Sequence, residues 1–269
     1  MRIHFSSPNF DPKQAQDHTL LVNAGQSDFM LAVLDPAGQV RLLLTADPAQ
    51  LDDAFWGRLP DAFAEVRLGA ADSGYLSLPA DAFDEAYLDT YRRYLPTDGL
   101  AESTVADIAP LGIKLLHQTD RLSIRPFAER FPRSAVFPAI QSFVCCVAGL
   151  AEADGGQLLI VHRQAGRTTF CLIDDGNLIY LNDFETHHDL DVNYFFHTIL
   201  DSLPIDQRRL RISLSGDFTP EDEFCRMLSA QLTEVMFADA AALTGVGLPV
   251  DLNGQQHRFL TLFGLRLCA

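Results

Sequence analysis

Apolar and polar positions alternate in short bursts across residues 20–44, LLVNAGQSDFMLAVLDPAGQVRLLL, and glycine and proline break the bursts apart. The pattern predicts three antiparallel strands at 20–23, 28–35 and 39–44, with turns at 24–27 and 36–38. About half a chain later, residues 158–184, LLIVHRQAGRTTFCLIDDGNLIYLNDF, repeat it. Strands are expected there at 158–162, 168–174 and 177–182, with turns at 163–166 and 175–176. The second strands even end alike, LAVLD at 31–35 and FCLID at 170–174. One supersecondary unit recurring at long period predicts two related lobes with a cleft between them.

Between the two units, the spacing predicts a short helix over 49–59 capped by Asp47-Pro48, a strand at 63–68, and a helix over 77–95. That helix would pack Phe83, Tyr87, Leu88, Tyr91 and Tyr94 on the sheet. Strands follow at 104–108 and 113–117, then a helix from Thr119-Asp120 toward Phe131. The uncharged apolar run 137–150 predicts a buried helix, and the polar, glycine-bearing stretch 151–156 marks a lobe boundary. In the second half, a helix over 189–203 carries Leu190, Tyr194, Phe195, Ile199 and Leu203 on one face. A buried strand at 209–214 follows, then a helix from Pro220 carrying Phe224 through Met236. A Gly-rich loop at 244–254 leads to a docked helix at 259–268. The expected division is a loose arm, 1–18, a first lobe, 19–150, and a second lobe, 151–269.

Composition narrows the class. With 48% apolar and 21% charged residues in 269, the chain reads as soluble and globular, with room for two cores. No apolar run reaches membrane-spanning length and MRIHFSSPNFD has no secretory apolar region, so no membrane span and a cytoplasmic location are expected. Thirty-six acidic against 20 basic residues give a net charge of −16, a field that repels a phosphate backbone; no nucleic-acid partner is expected. Arg92-Arg93 and Arg208-Arg209-Arg211 are short enough to be solvated helix ends. The 5 cysteines include no C-x-x-C pair and read as buried, reduced thiols. His187, His188, Asp189, Asp191 and His197 could be offered as metal ligands, but aspartates there read first as helix caps, and no metal site is assigned. Ser215 sits at a strand-to-helix turn without a G-x-S-x-G frame. Gly245-Val246-Gly247 follows no strand, and with Lys13 and Lys114 as its lysines the chain builds no P-loop.

Two meanders, each followed by helices and further strands, fit a duplicated ribonuclease-H-like architecture, and the chain resembles the actin-like ATPase superfamily. That resemblance implies an α/β fold of two ribonuclease-H-like lobes, each opening with a three-stranded antiparallel meander. In the superfamily the first two strands of each lobe are joined by a phosphate-binding turn, D-x-G-[ST] in the first. Glycine there lets backbone N–H groups approach phosphate, and the aspartate holds magnesium. Here Asn23-Ala24-Gly25-Gln26-Ser27 keeps the glycine, with Asn23 in place of the aspartate. His162 stands at the second aspartate position, ahead of Gly166. LRISLSGDF matches the adenosine turn at Ser215 and Gly216, with Asp217 replacing its second glycine. The candidate degenerate nucleotide cleft is therefore Asn23, Gly25, Gln26, Ser27, His162, Gly166, Ser215, Gly216 and Asp217.

A closer similarity, carried by NDFETHHDLDVNYFFHTIL, LRISLSGDF, VMFADA and HRFLTLFGLRLCA, is to the bacterial family called domain of unknown function 3822. It implies the same fold without an established activity. The expectation is a non-catalytic scaffold that binds an unidentified protein partner, with no cofactor and an open oligomeric state. The rival is an ATP-binding ATPase or phosphotransferase whose metal is held by Asp28, Asp35, Asp174 or Asp175.

Overall fold

The computed structural model describes residues 1–25, 28–96, 102–153, 156–206, 208–231 and 235–269. In chain order the first half runs β1 (Arg2–Ser6), β2 (Thr19–Ala24), β3 (Phe29–Leu34), β4 (Val40–Ala46), α1 (Asp53–Trp56), β5 (Glu65–Ala70), β6 (Asp72–Pro79), α2 (Leu88–Arg92), β7 (Glu102–Ile108), β8 (Ile113–Thr119), α3 (Arg125–Arg130) and β9 (Ala135–Pro138). Helix α4 (Ala139–Ala153) leads into β10 (Gln157–Gln164), β11 (Arg167–Asp174), β12 (Asn177–Glu185), α5 (Asp189–Ser202) and β13 (Leu210–Gly216). The chain closes with α6 (Glu223–Gln231), β14 (Val235–Phe237), α7 (Ala240–Thr244) and α8 (Leu260–Gly264).

Both predicted meanders form. The first sheet has the order β1-β4-β3-β2-β5-β9 and the second β12-β11-β10-β13-β14. In each, three antiparallel strands are extended by two parallel ones: β2 pairs β5 and β5 pairs β9, as β10 pairs β13 and β13 pairs β14. Apart from β1, the two sheets share one topology.

Strand periodicity explains the layering. Leu20 and Val22 point to one side of β2 and join a cluster with Phe55 of α1 and Phe127 of α3. Leu21 points to the other side, into a cluster that also holds Leu158 and Ile160 of β10. Leu159 and Val161, the alternate residues of β10, meet Val192 and Phe196 of α5 and Phe224 of α6. The two sheets thus share a middle layer, filled by Phe143, Val144 and Val147 of α4 and by Leu260, Leu262 and Phe263 of α8. Continuous apolar runs in β2 and β10 follow from burial on both faces. Each fully buried Leu, Val or Phe contributes roughly 1.5–3 kcal/mol, so the middle layer is the main tie between the lobes.

Several expectations give way to the structure. Residues 1–18 are not a loose arm throughout, because Arg2–Ser6 pairs with β4 and covers that edge. The 77–95 helix is replaced by strand β6, a short turn and α2. Pro79 ends the strand, and Tyr87 and Tyr94 are exposed rather than packed. Strand β6 joins β8 and β7 in a third, antiparallel sheet that the sequence pattern did not announce as a unit. The boundary stretch begins as helix, since α4 continues through Ala153; Asp154 and Gly155 lie outside the described residues. Met236 sits on β14 rather than on α6. On α5 the buried face is Val192, Phe196 and Ile199, whereas Leu190 and Tyr194 are each 67% exposed. Of the expected face, Ile199 is buried and Phe195 and Leu203 pack against the same cluster, so contact with β10 and α6 turns the buried face toward Val192 and Phe196.

His117 on β8 gives a pH prediction. It is 4% exposed, its ring contacts the Thr104 and Thr119 hydroxyls, and burial pushes its pKa down to about 4. The unfolded chain therefore takes up a proton that the folded chain refuses. Stability is retained above pH 6.5 and lost as the pH falls toward 4, by up to about 3 kcal/mol from this residue. Urea midpoints at pH 7.5 and 4.5 test it: His117→Asn should narrow the gap between the two pH values.

Candidate functional site

The first turn of interest closes β2 onto β3. Gly25 N–H donates to Asp28 O at 2.8 Å, and the Asp28 carboxylate folds back over the glycine. A Cβ on Gly25 would stand 2.5 Å from Asp28 Oδ1. The face of Gly25 that would approach a phosphate thus already carries a negative group of the chain itself. Burial pushes the Asp28 pKa up, and the charges of Asp217 and Asp47 add to the push. Gln26 and Ser27 lie outside the described residues.

The second turn is shorter. Gln164 pairs with Arg167, leaving a two-residue hairpin turn of Ala165 (φ 50°) and Gly166 (φ 76°). Two consecutive positive φ values are the type I′ geometry that matches the twist of paired strands. Gly166 serves that turn, and its carbonyl accepts from Thr186 N–H at 2.8 Å.

Gly216, the candidate adenosine glycine, faces protein. Its φ is 83°, and a Cβ there would lie 2.0 Å from Arg163 O. Asp217 N–H donates to that same carbonyl at 2.7 Å. Arg163 is itself held by Asp189 at 2.6 Å and by Asp222, and its guanidinium lies 4.2 Å from the centre of the Phe218 ring. Asp189 also accepts from Phe224 N–H, so Arg163 pins the starts of α5 and α6 together. Burial opposes ionisation of Asp222, but hydrogen bonds from Thr219 and Arg163 outweigh it and hold the carboxyl below its usual range.

A buried hydrogen-bond chain joins the two lobes. Asn23 Nδ2 donates to Thr261 Oγ1 at 2.9 Å, and Thr261 Oγ1 donates to Gln164 Oε1 at 3.1 Å. His162 Nε2 lies 3.2 Å from the same oxygen, and His162 Nδ1 lies 2.9 Å from Ser215 Oγ. An amide oxygen only accepts, so His162 carries its proton on Nε2 and accepts a hydrogen bond from the Ser215 hydroxyl at Nδ1. Burial lowers the His162 pKa, against smaller raising effects from Gln164 and Asp217, and favours this neutral ring. Three of the sequence-predicted residues, Asn23, His162 and Ser215, are thereby brought into one network. Its other members, Thr261 and Gln164, were missed because neither type belongs to a recognisable motif. Ser215 and His162 have the spacing of a nucleophile and its base, yet Ser215 is 0% exposed and no substrate atom can reach it.

Beside this chain lies a cavity of about 200 Å³ lined by Gly25, Asp72, His162, Gln164, Arg167 and Asp183, among others. Among the described lining residues, neither Gly216 nor Asp217 contributes. At its wall α4 begins, and Asp72 accepts the Ile140 N–H at 2.7 Å. The helix start that would favour an anion is thus occupied by a carboxylate. Desolvation of the carboxyl against the cleft wall raises the Asp72 pKa, with Asp183 adding and the Ile140 N–H and Arg167 opposing; Asp72 is nonetheless exposed as a residue, and contact with water makes that rise small. Arg167 is paired with Asp183.

The remaining candidates close turns. Asp35 accepts from Ala37 N–H, Gln39 N–H and Arg41; these bonds outweigh burial and hold its carboxyl below the usual range. Asp174 and Asp175 bind Gln157 and Gly156 N–H at the far ends of their strands. Asp191 accepts from His187 N–H and His188 N–H, which makes that acidic, histidine-bearing stretch a helix cap. Among the described residues, no group of three or more His, Cys, Asp or Glu side chains could hold a metal ion, and no helix is long and apolar enough to cross a membrane.

Two sheets of one topology, a shared helical layer and paired turns facing a cleft define a protein of the actin-like ATPase fold. The chain belongs to the DUF3822 family, described as proteins of unknown function, whose family model matches residues 7–235. Among solved structures it is similar to a protein of Bacteroides thetaiotaomicron VPI-5482 with an actin-like ATPase fold and unknown function. The TM-score is 0.71 at 12% identity, over 97% of this chain and 99% of that one. It is also similar to a chain of the PilM–PilN type IV pilus biogenesis complex, with a TM-score of 0.60 at 14% identity over 94% and 98% of the two chains. At such identities the likeness is one of fold. No curated protein matches the chain in sequence.

Proposed function

We propose that this protein is a non-catalytic, partner-binding scaffold, a pseudo-ATPase built from two duplicated lobes, 19–150 and 151–269, and working in the cytoplasm. The observation that carries this reading is the chain Asn23–Thr261–Gln164–His162–Ser215, which runs through positions where the superfamily holds metal and phosphate. Own carboxylates take the places that phosphate would need: Asp28 over Gly25, Asp72 at the start of α4, and Asp183 on Arg167. A triphosphate entering there would find carboxyl oxygens where it needs free N–H donors. The cavity, at about 200 Å³, is smaller than the roughly 300–1,000 Å³ of small-molecule sites. One structural relative is a chain of a two-protein pilus biogenesis complex, the precedent for a scaffold role.

Thermal unfolding with and without Mg-ATP tests the proposal. A ligand present at a hundred times its Kd stabilises by about 2.7 kcal/mol, so binding would raise Tm by several degrees. No shift is expected at millimolar Mg-ATP. A magnesium-dependent shift that is lost in Asp28→Asn would replace the scaffold with an atypical ATPase.

A further inference from the structure

A second groove, of about 570 Å³, lies away from the nucleotide-type cleft, between the small third sheet and the second lobe. Its walls are three consecutive stretches: 77–81, from the end of β6 into the next turn, 177–181 of β12, and 111–113 at the turn into β8. A strand that presents a face contributes every second residue, because side chains alternate. Consecutive lining residues mean that the groove meets both strands edge-on. The sheet orders agree, since among the described residues β6 has only β8 beside it and β12 has only β11. In antiparallel pairs, alternate residues direct their N–H and C=O away from the partner strand. The groove is therefore flanked by two sheet edges, that of β12 carrying a bulge at Ile179 opposite Leu172–Ile173, and is walled by Leu78, Leu111, Leu178 and the 44% exposed Ile179.

We infer that this groove receives an extended segment of a partner protein, which adds as a strand to β12, to β6 or to both. Main-chain hydrogen bonds to an open edge supply affinity in such additions, and apolar walls select alternate side chains. Asp81 is the charged side chain among the lining residues, in a protein of net charge −16. The segment that fits carries apolar residues at alternating positions and a lysine or arginine at the end that meets Asp81. Pro79, without an N–H, closes the β6 ladder at that end and sets the limit of pairing. This occupant rests on the scaffold proposal, of which it names the partner's chemistry.

The test is selection of a phage-displayed library of random decamers on the full-length protein, followed by measurements with synthetic copies of the selected peptides. Selected peptides are expected to alternate apolar residues and to carry a terminal Lys or Arg. They should slow hydrogen exchange at 74–78 or 177–181. Methylating alternate peptide nitrogens should weaken binding about tenfold or more, because two main-chain bonds are lost. Asp81→Lys, a surface change that leaves Tm in place, should weaken binding as well. The inference is overturned if no peptide is selected, if methylated peptides bind equally well, or if protection appears elsewhere. Assembly of the protein into a dimer that protects the same edges would overturn it too. A peptide bound elsewhere would remove this groove and leave the scaffold reading standing. A magnesium-dependent Mg-ATP shift would do the reverse.

Discussion

Gly216→Ala is expected to destabilise the protein by about 4 kcal/mol, enough to place it among the most damaging single changes. Left-handed backbone alone costs an L residue about 1–2 kcal/mol. Here the new methyl would also stand 2.0 Å from Arg163 O, a backbone atom of the neighbouring strand β10 that cannot swing aside. Gly176→Ala separates the two effects. Its φ of 82° is the same, but nothing lies within 4 Å of an added Cβ, so a loss of about 1 kcal/mol is expected. Urea unfolding followed by circular dichroism measures both. Equal losses would mean that β13 and β10 are not held apart by the width of one glycine.

That contact also bears on how the sequence is to be understood. Gly216 is the glycine that the resemblance sets in an adenosine turn. The residue pressed against it is Arg163, 53 positions away, and spacing along the chain says nothing of that approach. The same holds at Gly25, where the glycine expected of a phosphate turn stands against Asp28. Local signals were reliable where strand period and turn chemistry act alone: both meanders and the buried helix α4 are legible from residue pattern, while Asp47 caps a 3-10 turn at Pro48–Gln50 and the expected 49–59 helix shortens to α1, capped by Asp52. They failed where tertiary contact decides between equivalent patterns. On α5 that contact turned the buried face from Leu190 and Tyr194 toward Val192 and Phe196. The segment now in β6 carried aromatics downstream at helical spacing, although Pro79 and the pairing with β8 made it a strand. Thr261, 238 residues from Asn23, has no signature at all, and only the docking of α8 between the sheets brings it to the site.

Thr261→Val should cost about 2 kcal/mol with almost no change in side-chain volume. Asn23 Nδ2 would lose its acceptor and Gln164 Oε1 one of its two donors, and buried groups left unpaired cost about 1–3 kcal/mol. A merely local role for Thr261 predicts that the loss adds to that of Gln164→Leu. A relay predicts that it does not, with a coupling of about 1 kcal/mol in the double-mutant cycle. Hydrogen exchange adds a second readout: amides of β2 and β10, in different sheets, should lose protection together in the Thr261 variant. Asn23→Asp carries the point to function. It restores the residue type of a magnesium-holding turn, but in a pocket where Asn23 is 1% exposed and its Oδ1 already lacks a partner. A carboxylate there could accept a hydrogen bond from the Thr261 hydroxyl only by withdrawing it from Gln164. The variant should be less stable than the wild type and still show no Mg-ATP shift in Tm. The hydrogen-bonded floor that holds Asn23 is shared by Thr261, Gln164 and His162, so a single change at Asn23 is expected to leave it closed.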